Sequence, residues 1–295
     1  MIAQTAFLER LFDWLWKEYR DRVSHARAYE DILKEHGGTF RNDHLAFRTF
    51  AAQERWSGIA SIARPFEALG YRAAGAYDFP DKHLTSLHFA PPSENLPRLF
   101  VSELRVWELS PRARRIALAA AAKAEPGLSD EELAGLSDLP RLPARKRDKL
   151  LRRWAAQFGR RWPAPKAADA LALEKETQFG AWVLLHGHTV NHFTAAVHAH
   201  GVSALDDIEK TVAAMKKAGV PMKPDIEGDP GTKLRQSSTQ AVVIPVEMRS
   251  GARLVRKPWT YAYFEIAERP MLDGRRFEGF LGGQATNLFE MTRRS

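Results

Sequence analysis

The sequence predicts an α+β fold in which one unit, strand–helix–strand–strand–strand, occurs twice and builds a curved sheet around a central cavity. Three observations lead there. Short runs rich in Val, Phe, Tyr and Thr, bounded by Gly, Pro and polar turns, concentrate in two regions, 41–109 and 176–267. In each region one stretch of helical periodicity follows the first such run. The segment between them, 110–175, is rich in Ala, Arg and Leu and reads as a helical insertion. The two units resemble each other in the order of their elements and not in sequence. Residues 1–295 are expected to fold as one domain: helices over 1–40, the first unit over 41–109, the insertion over 110–175, and the second unit with a C-terminal helix over 176–295.

The elements follow from local pattern. Leu8, Leu11, Phe12, Leu15 and Trp16 recur at helical spacing, and a second helix over Arg27 to Glu35 is ended by Gly37-Gly38. His44 to Phe50 is a short strand, followed by a helix over Gln53 to Leu69 that Gly70 closes. Tyr71 to Tyr77, Leu84 to Phe89 and Arg98 to Leu109 complete the first unit as strands. In the insertion, Ser129-Asp130-Glu131-Glu132 is a capping-box start. Trp182 to Thr194 is then read as one long strand, and Ala204 to Ala218 as a helix with Ile208, Val212 and Met215 inward. Strands are expected around Lys233 to Ser238, Gln240 to Met248 and Thr260 to Ala267, and a last helix over Gly283 to Met291.

Composition narrows the chemistry. The chain has no cysteine, which removes disulfides, thiolate metal sites and cysteine nucleophiles together. Any metal must be held by His, Asp and Glu, as iron, manganese or zinc can be. No apolar run approaches the ~18–20 residues that span a bilayer, and no signal-peptide pattern opens the chain, so neither a membrane nor export is expected and the cytoplasm is the default. The net charge of +8 raises the question of nucleic acid. Much of that charge lies in Arg112, Arg114 and Arg115 and in Arg145 to Arg153 through Arg160-Arg161, read as exposed helix faces. No aromatic stacking motif accompanies it, so a basic surface drawing in a small anion is expected rather than a nucleic-acid partner.

Three strands carry polar groups where a buried sheet face is normally apolar. On the first, His44, Ala46 and Arg48 share a face; on the second, His186, His188 and His192; on the third, Tyr261, Tyr263, Glu265, Ala267 and Arg269. Taken singly, each has a plain reading as a packing histidine or a solvated charge. Together, two histidines and one carboxylate from separate strands can bind one divalent ion and leave positions for substrate and oxygen, as in non-haem Fe(II) oxygenases. Spacing alone does not choose among the three clustered histidines, nor iron over manganese or zinc.

At these residues a family becomes recognisable. The stretches Asn42-Asp43-His44-Leu45-Ala46-Phe47-Arg48-Thr49-Phe50, Phe100-Val101-Ser102-Glu103-Leu104, Val190-Asn191-His192-Phe193-Thr194, Gln236-Ser237-Ser238-Thr239 and Tyr263-Phe264-Glu265-Ile266-Ala267-Glu268-Arg269 occur in that order. They resemble the 2-oxoadipate dioxygenase/decarboxylases, or 2-hydroxyglutarate synthases, relatives of the vicinal-oxygen-chelate superfamily. The resemblance implies a barrel-like metal-binding sheet of two such units. It also implies Fe(II)- and O2-dependent conversion of 2-oxoadipate to 2-hydroxyglutarate and CO2, a step in lysine breakdown. Carried over by motif, it makes His44, His192 and Glu265 the metal ligands and Arg48 the clamp on the substrate's distal carboxylate. It leaves His186 and His188 as supporting or packing residues. Arg235 and Ser237 are further expected substrate contacts. The alternative is another metal-dependent isomerase, lyase or hydrolase acting on a 2-oxo acid. A non-catalytic anion-binding protein would leave the strand-borne His and Glu residues without a purpose.

Overall fold

A computed structural model describes residues 2–283, 289 and 292. Helices α1 (Ile2–Arg22) and α2 (Ser24–Glu35) open the chain. The first unit follows as β1 (Asn42–Ala51), α3 (Ile59–Ala68), β2 (Arg72–Phe79), β3 (Leu84–Ala90) and β4 (Arg98–Arg105). The insertion is helical throughout its regular parts: α4 (Pro111–Ala121), α5 (Asp130–Ser137), α6 (Ala144–Ala155) and α7 (Ala167–Glu176). Ser129 and Glu132 form the reciprocal capping box at the start of α5. The second unit comprises α8 (Gln178–His186), β5 (Val190–Ala196), α9 (Ile208–Lys217), β6 (Arg235–Ser238), β7 (Val243–Ser250), β8 (Arg253–Thr260) and β9 (Glu265–Glu268).

The sheet that unites the two units runs β2-β3-β4-β1-β5-β9-β6. Within each unit the first strand lies parallel to the last, β1 beside β4 and β5 beside β9. The two first strands meet antiparallel at the seam, where Ala46 stands opposite His192 and His44 opposite Thr194. This pseudo-symmetric junction brings the two halves of the candidate site onto neighbouring strands. The second unit departs from the first in one respect: β7 and β8 leave the main sheet and form a two-stranded sheet of their own. The expected strand from Thr260 to Ala267 is accordingly divided, with Tyr261 to Phe264 irregular between β8 and β9.

Helices cover the side of the sheet away from the cavity. On α1, Trp16 and Tyr19 set their rings against Phe193 of β5. The Phe193 side chain therefore points outward while its neighbour His192 lines the cavity, as strand alternation requires. The insertion joins the same core: Trp154 of α6 contacts Phe7 of α1 and Phe66 of α3. Large aromatics of the insertion are thus buried against elements distant in sequence. Of the basic residues expected to be exposed, Arg161 is buried and donates to the Glu125 carbonyl, and Arg160 donates to the Glu247 carbonyl at 2.8 Å. The helix expected over Gly283 to Met291 lies largely outside the described residues. Among the described residues, no helix is long and apolar enough to cross a membrane.

The structure corrects the reading of Trp182 to Thr194 as one strand. Residues up to His186 belong to α8, and only Val190 onward is strand. Every residue of α8 is buried, so its sequence is apolar all round and shows no helical stripe. The signal that identifies it is the N-cap: the Thr177 hydroxyl accepts from the Gly180 N–H at 3.2 Å. Gly187 then breaks the helix with φ +66°. A Cβ there would lie 2.4 Å from both Arg160 Cα and the Gly159 carbonyl oxygen. Gly187→Ala combines that clash with an unfavourable φ and should cost about 2–4 kcal/mol of stability, seen as a lower urea midpoint at unchanged m.

Candidate metal centre

Three side chains converge on the cavity face of the seam. One ligand-capable atom each from His44, His192 and Glu265 lies within 4.8 Å of the others. Glu265 Oε1 is 3.6 Å from His44 Nε2, and its Oε2 is 3.6 Å from His192 Nε2. Register explains the meeting: His44, Thr194, Glu265 and Ser238 stand directly opposite one another across β1, β5, β9 and β6, so their side chains share a face.

Each imidazole is held by its other nitrogen. His44 Nδ1 donates to Asp43 Oδ1 at 2.8 Å, and Asp43 is gripped by Arg269 through both oxygens at 2.7 and 3.0 Å. His192 Nδ1 donates to Asn191 Oδ1 at 3.1 Å. A proton fixed on Nδ1 leaves a lone pair on each Nε2, the tautomer a metal ligand needs; in this structure His44 Nε2 also accepts from the Thr194 hydroxyl at 3.0 Å. The electrostatics point the same way. Burial lowers the pKa of His44 against the opposing pull of Asp43, and burial with the charges of His44 and Arg48 lowers that of His192 well below the usual range. Both rings are therefore neutral donors of electron pairs. Burial alone would raise Asp43, but Arg269 and the His44 hydrogen bond hold it well below an ordinary carboxylate.

Glu265 is the anomaly that a cation resolves. It is fully buried, and neither carboxylate oxygen has a hydrogen-bond partner. Burial, with Glu227 and Asp43 adding to it, pushes its pKa well above the ordinary value. An ion held between Glu265 and two neutral imidazoles would satisfy those oxygens, so this donor set fits a divalent metal of the borderline class.

The cavity beside the triad is walled by Ala46, Phe100, Leu234, Tyr263, Phe280 and Phe289 among others. Arg48 lies along its side, four residues beyond His44 on β1. The guanidinium sits over the rings of Phe179 and Trp182, at 4.8 and 5.2 Å from their centres, and donates to Thr292 Oγ1 at 2.8 Å. Phe280 packs edge-on against His44 and lines the cavity beside it.

Other expected site residues are placed elsewhere. Arg235 turns away from the cavity and pairs with Glu209 and Glu268, while Ser237 donates to the Asp225 carbonyl at 3.2 Å. Their neighbour Gln236 is the one that lines the cavity. Period-two alternation carries this signal, since Gln236 shares a face with Ser238, the residue opposite Glu265. His186 receives its role from packing: its Nε2 lies 3.1 Å from the Thr260 carbonyl at the end of α8. His188 Nε2 meets Thr49 Oγ1 at 3.0 Å, and its ring abuts Trp162.

Fold and site together define a protein of two pseudo-symmetric units with a candidate metal triad at their seam. A glyoxalase-superfamily protein from Ralstonia eutropha superposes with a TM-score of 0.84 over 94% of this chain and 86% of its own, at 24% identity. The hydroxyglutarate synthase of Oryza sativa, solved with 2-oxoadipate, superposes with a TM-score of 0.80 at 26% identity, over 99% of this chain and 93% of that one. The chain belongs to the 2-oxoadipate dioxygenase/decarboxylase family, whose model matches residues 4–290. The chloroplastic 2-oxoadipate dioxygenase/decarboxylase of Arabidopsis thaliana is 30% identical over 276 residues, 85% of this chain and 67% of that protein.

Proposed function

We propose that this chain is an Fe(II)-dependent dioxygenase/decarboxylase that converts 2-oxoadipate and O2 to 2-hydroxyglutarate and CO2. His44, His192 and Glu265 would hold the iron, and Arg48 the substrate's far carboxylate. Bound there, Fe(II) supplies the one-electron chemistry that lets O2 react with a closed-shell acid. The observation that carries the reading is Glu265: a fully buried carboxylate with both oxygens unpartnered, facing two histidines already locked in the ligand tautomer.

The protein's own contributions are orientation and exclusion. A substrate whose 2-oxo acid end lies at the triad extends along β1 toward Arg48, and four strand residues span about 13 Å, enough for a six-carbon diacid lying between the two ends. The planar guanidinium can receive a carboxylate through two N–H donors, and its seat against Phe179 and Trp182 fixes the plane of that fork. Phe280, Phe100 and Tyr263 keep the reacting end in an apolar setting, where bulk water is excluded and charge interactions are strong. Asp43 and Asn191 keep both imidazoles from rotating or changing tautomer. We place the reaction in the cytoplasm, although the matching plant relatives are named as chloroplastic.

The test is anaerobic loading with Fe(II), followed by 2-oxoadipate and air. One O2 should be consumed and one CO2 released for each 2-hydroxyglutarate formed, and a chelator should abolish all three. Full iron occupancy with no oxygen uptake would sink the proposal. Arg48→Met should raise KM for 2-oxoadipate by about 100-fold, the loss expected for charged hydrogen bonds worth ~1.5–3 kcal/mol. The same variant should turn over 2-oxohexanoate, which lacks the second carboxylate, about as well as the parent does.

A further inference from the structure

The seam between β1 and β5 contains a bulge. Ala46 pairs with His192 and Phe47 with Val190, so Asn191 is the extra residue on β5. In a regular strand, adjacent side chains point to opposite faces, yet here Asn191 and His192 both line the cavity. Asn191 is 1% exposed, and its Oδ1 accepts from His192 Nδ1 while its Nδ2 has no hydrogen-bond partner. The orientation of the amide follows from chemistry. A histidine that offers Nε2 to a metal must carry its proton on Nδ1, so Asn191 must present oxygen to the ring and its NH2 group to the other side.

A buried amide donor left unsatisfied costs roughly 1–3 kcal/mol, and folded proteins rarely retain one without a use. This one is placed beside the triad by a backbone irregularity, level with Ala46 and Phe47 and so between His44 and Arg48 along β1. We propose that Asn191 is a substrate-binding residue: its Nδ2–H donates to an anionic oxygen of the 2-oxo acid group bound at the triad, while its Oδ1 holds His192. The bulge would thus make one side chain serve both the metal ligand and the head of the substrate. Arg48 would then recognise the distal carboxylate and Asn191 the reacting one. The inference rests on the functional reading above, in that the ligand is taken to be a 2-oxo acid or a dianion shaped like its head.

The experiment separates the two ideas by using two probes, 2-oxoadipate and oxalate, titrated anaerobically by calorimetry into Fe(II)-loaded protein. Oxalate presents the chelating head and has nothing for Arg48 to hold. Asn191→Asp and Asn191→Ser both keep an oxygen able to accept from His192 and remove the N–H donor. Both variants should retain iron at parental stoichiometry and bind either probe at least about tenfold more weakly, the effect of losing one hydrogen bond to a charged group. Iron retention also reports that the site has folded. If Asn191→Asp does not hold iron, Asn191→Ser decides alone. Parental affinity for both probes in Asn191→Ser would overturn the inference and leave Asn191 as a support for His192 only. A parent that binds oxalate but not 2-oxoadipate would overturn the substrate reading while the variants still test Asn191 on oxalate. A parent that binds neither overturns both.

Discussion

Glu265→Gln should abolish metal-dependent turnover and, in the metal-free protein, raise stability. The loss of rate is expected to reach about a thousandfold, because removing the only anionic donor of the triad forfeits several kcal/mol of metal and transition-state binding. The gain arises from the same atoms. In the metal-free chain Glu265 is fully buried with both oxygens unpartnered, and burial pushes its pKa well above the ordinary carboxylate value. A group whose folded pKa lies above its unfolded one binds more protons when folded. Its contribution therefore becomes less favourable as pH rises from the unfolded value of about 4.3 toward the folded one. At neutral pH the neutral amide removes that burden and should stabilise the apo protein by about 1–3 kcal/mol. Urea unfolding of both proteins in chelator, set beside iron content and oxygen uptake, measures the two effects. A variant that is both inactive and less stable without metal would mean that Glu265 has a structural partner instead of a cation. His192→Ala should lose iron as well, but without the stability gain, since it removes a neutral, packed ring.

The candidate triad could be read in the sequence because each of its residues lies in a short, strongly patterned strand. His44 and Arg48 keep one face of β1 at spacing four, and Glu265 opens β9, so period-two alternation and the family motifs agreed on them. The histidine cluster misled for a physical reason. A nine-residue helix buried on every side has the same apolar composition as a central strand, and no stripe separates the two. Once α8 ends at Gly187, His186 and His188 are no longer on the ligand strand, and their equivalence to His192 disappears. Register decided where the expected substrate contacts fall: Arg235 and Ser237 do not line the cavity, and Gln236 between them does. Asn191 could be read as a neighbour that orients His192, but not as facing the cavity, because a bulge depends on how two strands pair and leaves no mark in either one alone. Phe280, which lines the cavity against His44, lies beyond the last strand of the sheet, and only tertiary packing brings it there.

Two buried histidines outside the candidate triad should lower the stability of the protein in acid. His186 and His188 are both buried, and burial above all lowers each pKa to about 3, with nearby arginines adding to it. Neither can take up a proton without charging the interior: His186 is wedged against Trp182 and Tyr261, and His188 against Trp162. In the unfolded chain both titrate near 6.5, so below that pH the unfolded state binds more protons and is favoured. The sign is fixed: the stability these groups contribute is fully present above about pH 6.5 and declines as pH falls toward 3. At ~1.4 kcal/mol per pH unit for each group, the pair should remove about 4 kcal/mol between pH 7 and 5, a large part of the ~5–15 kcal/mol typical of a domain. Urea midpoints measured in chelator, to keep metal linkage out, should therefore be flat above pH 7 and fall steeply below 6. His188→Gln can keep a hydrogen bond to Thr49 and cannot titrate, so it should flatten the acid limb by about one proton's worth, ~1.4 kcal/mol per pH unit, at some cost at pH 7 from imperfect packing against Trp162. An unchanged acid slope in that variant would mean that His188 already carries a proton in the folded protein, and that the cleft between Thr49 and Trp162 is wetter than its burial implies.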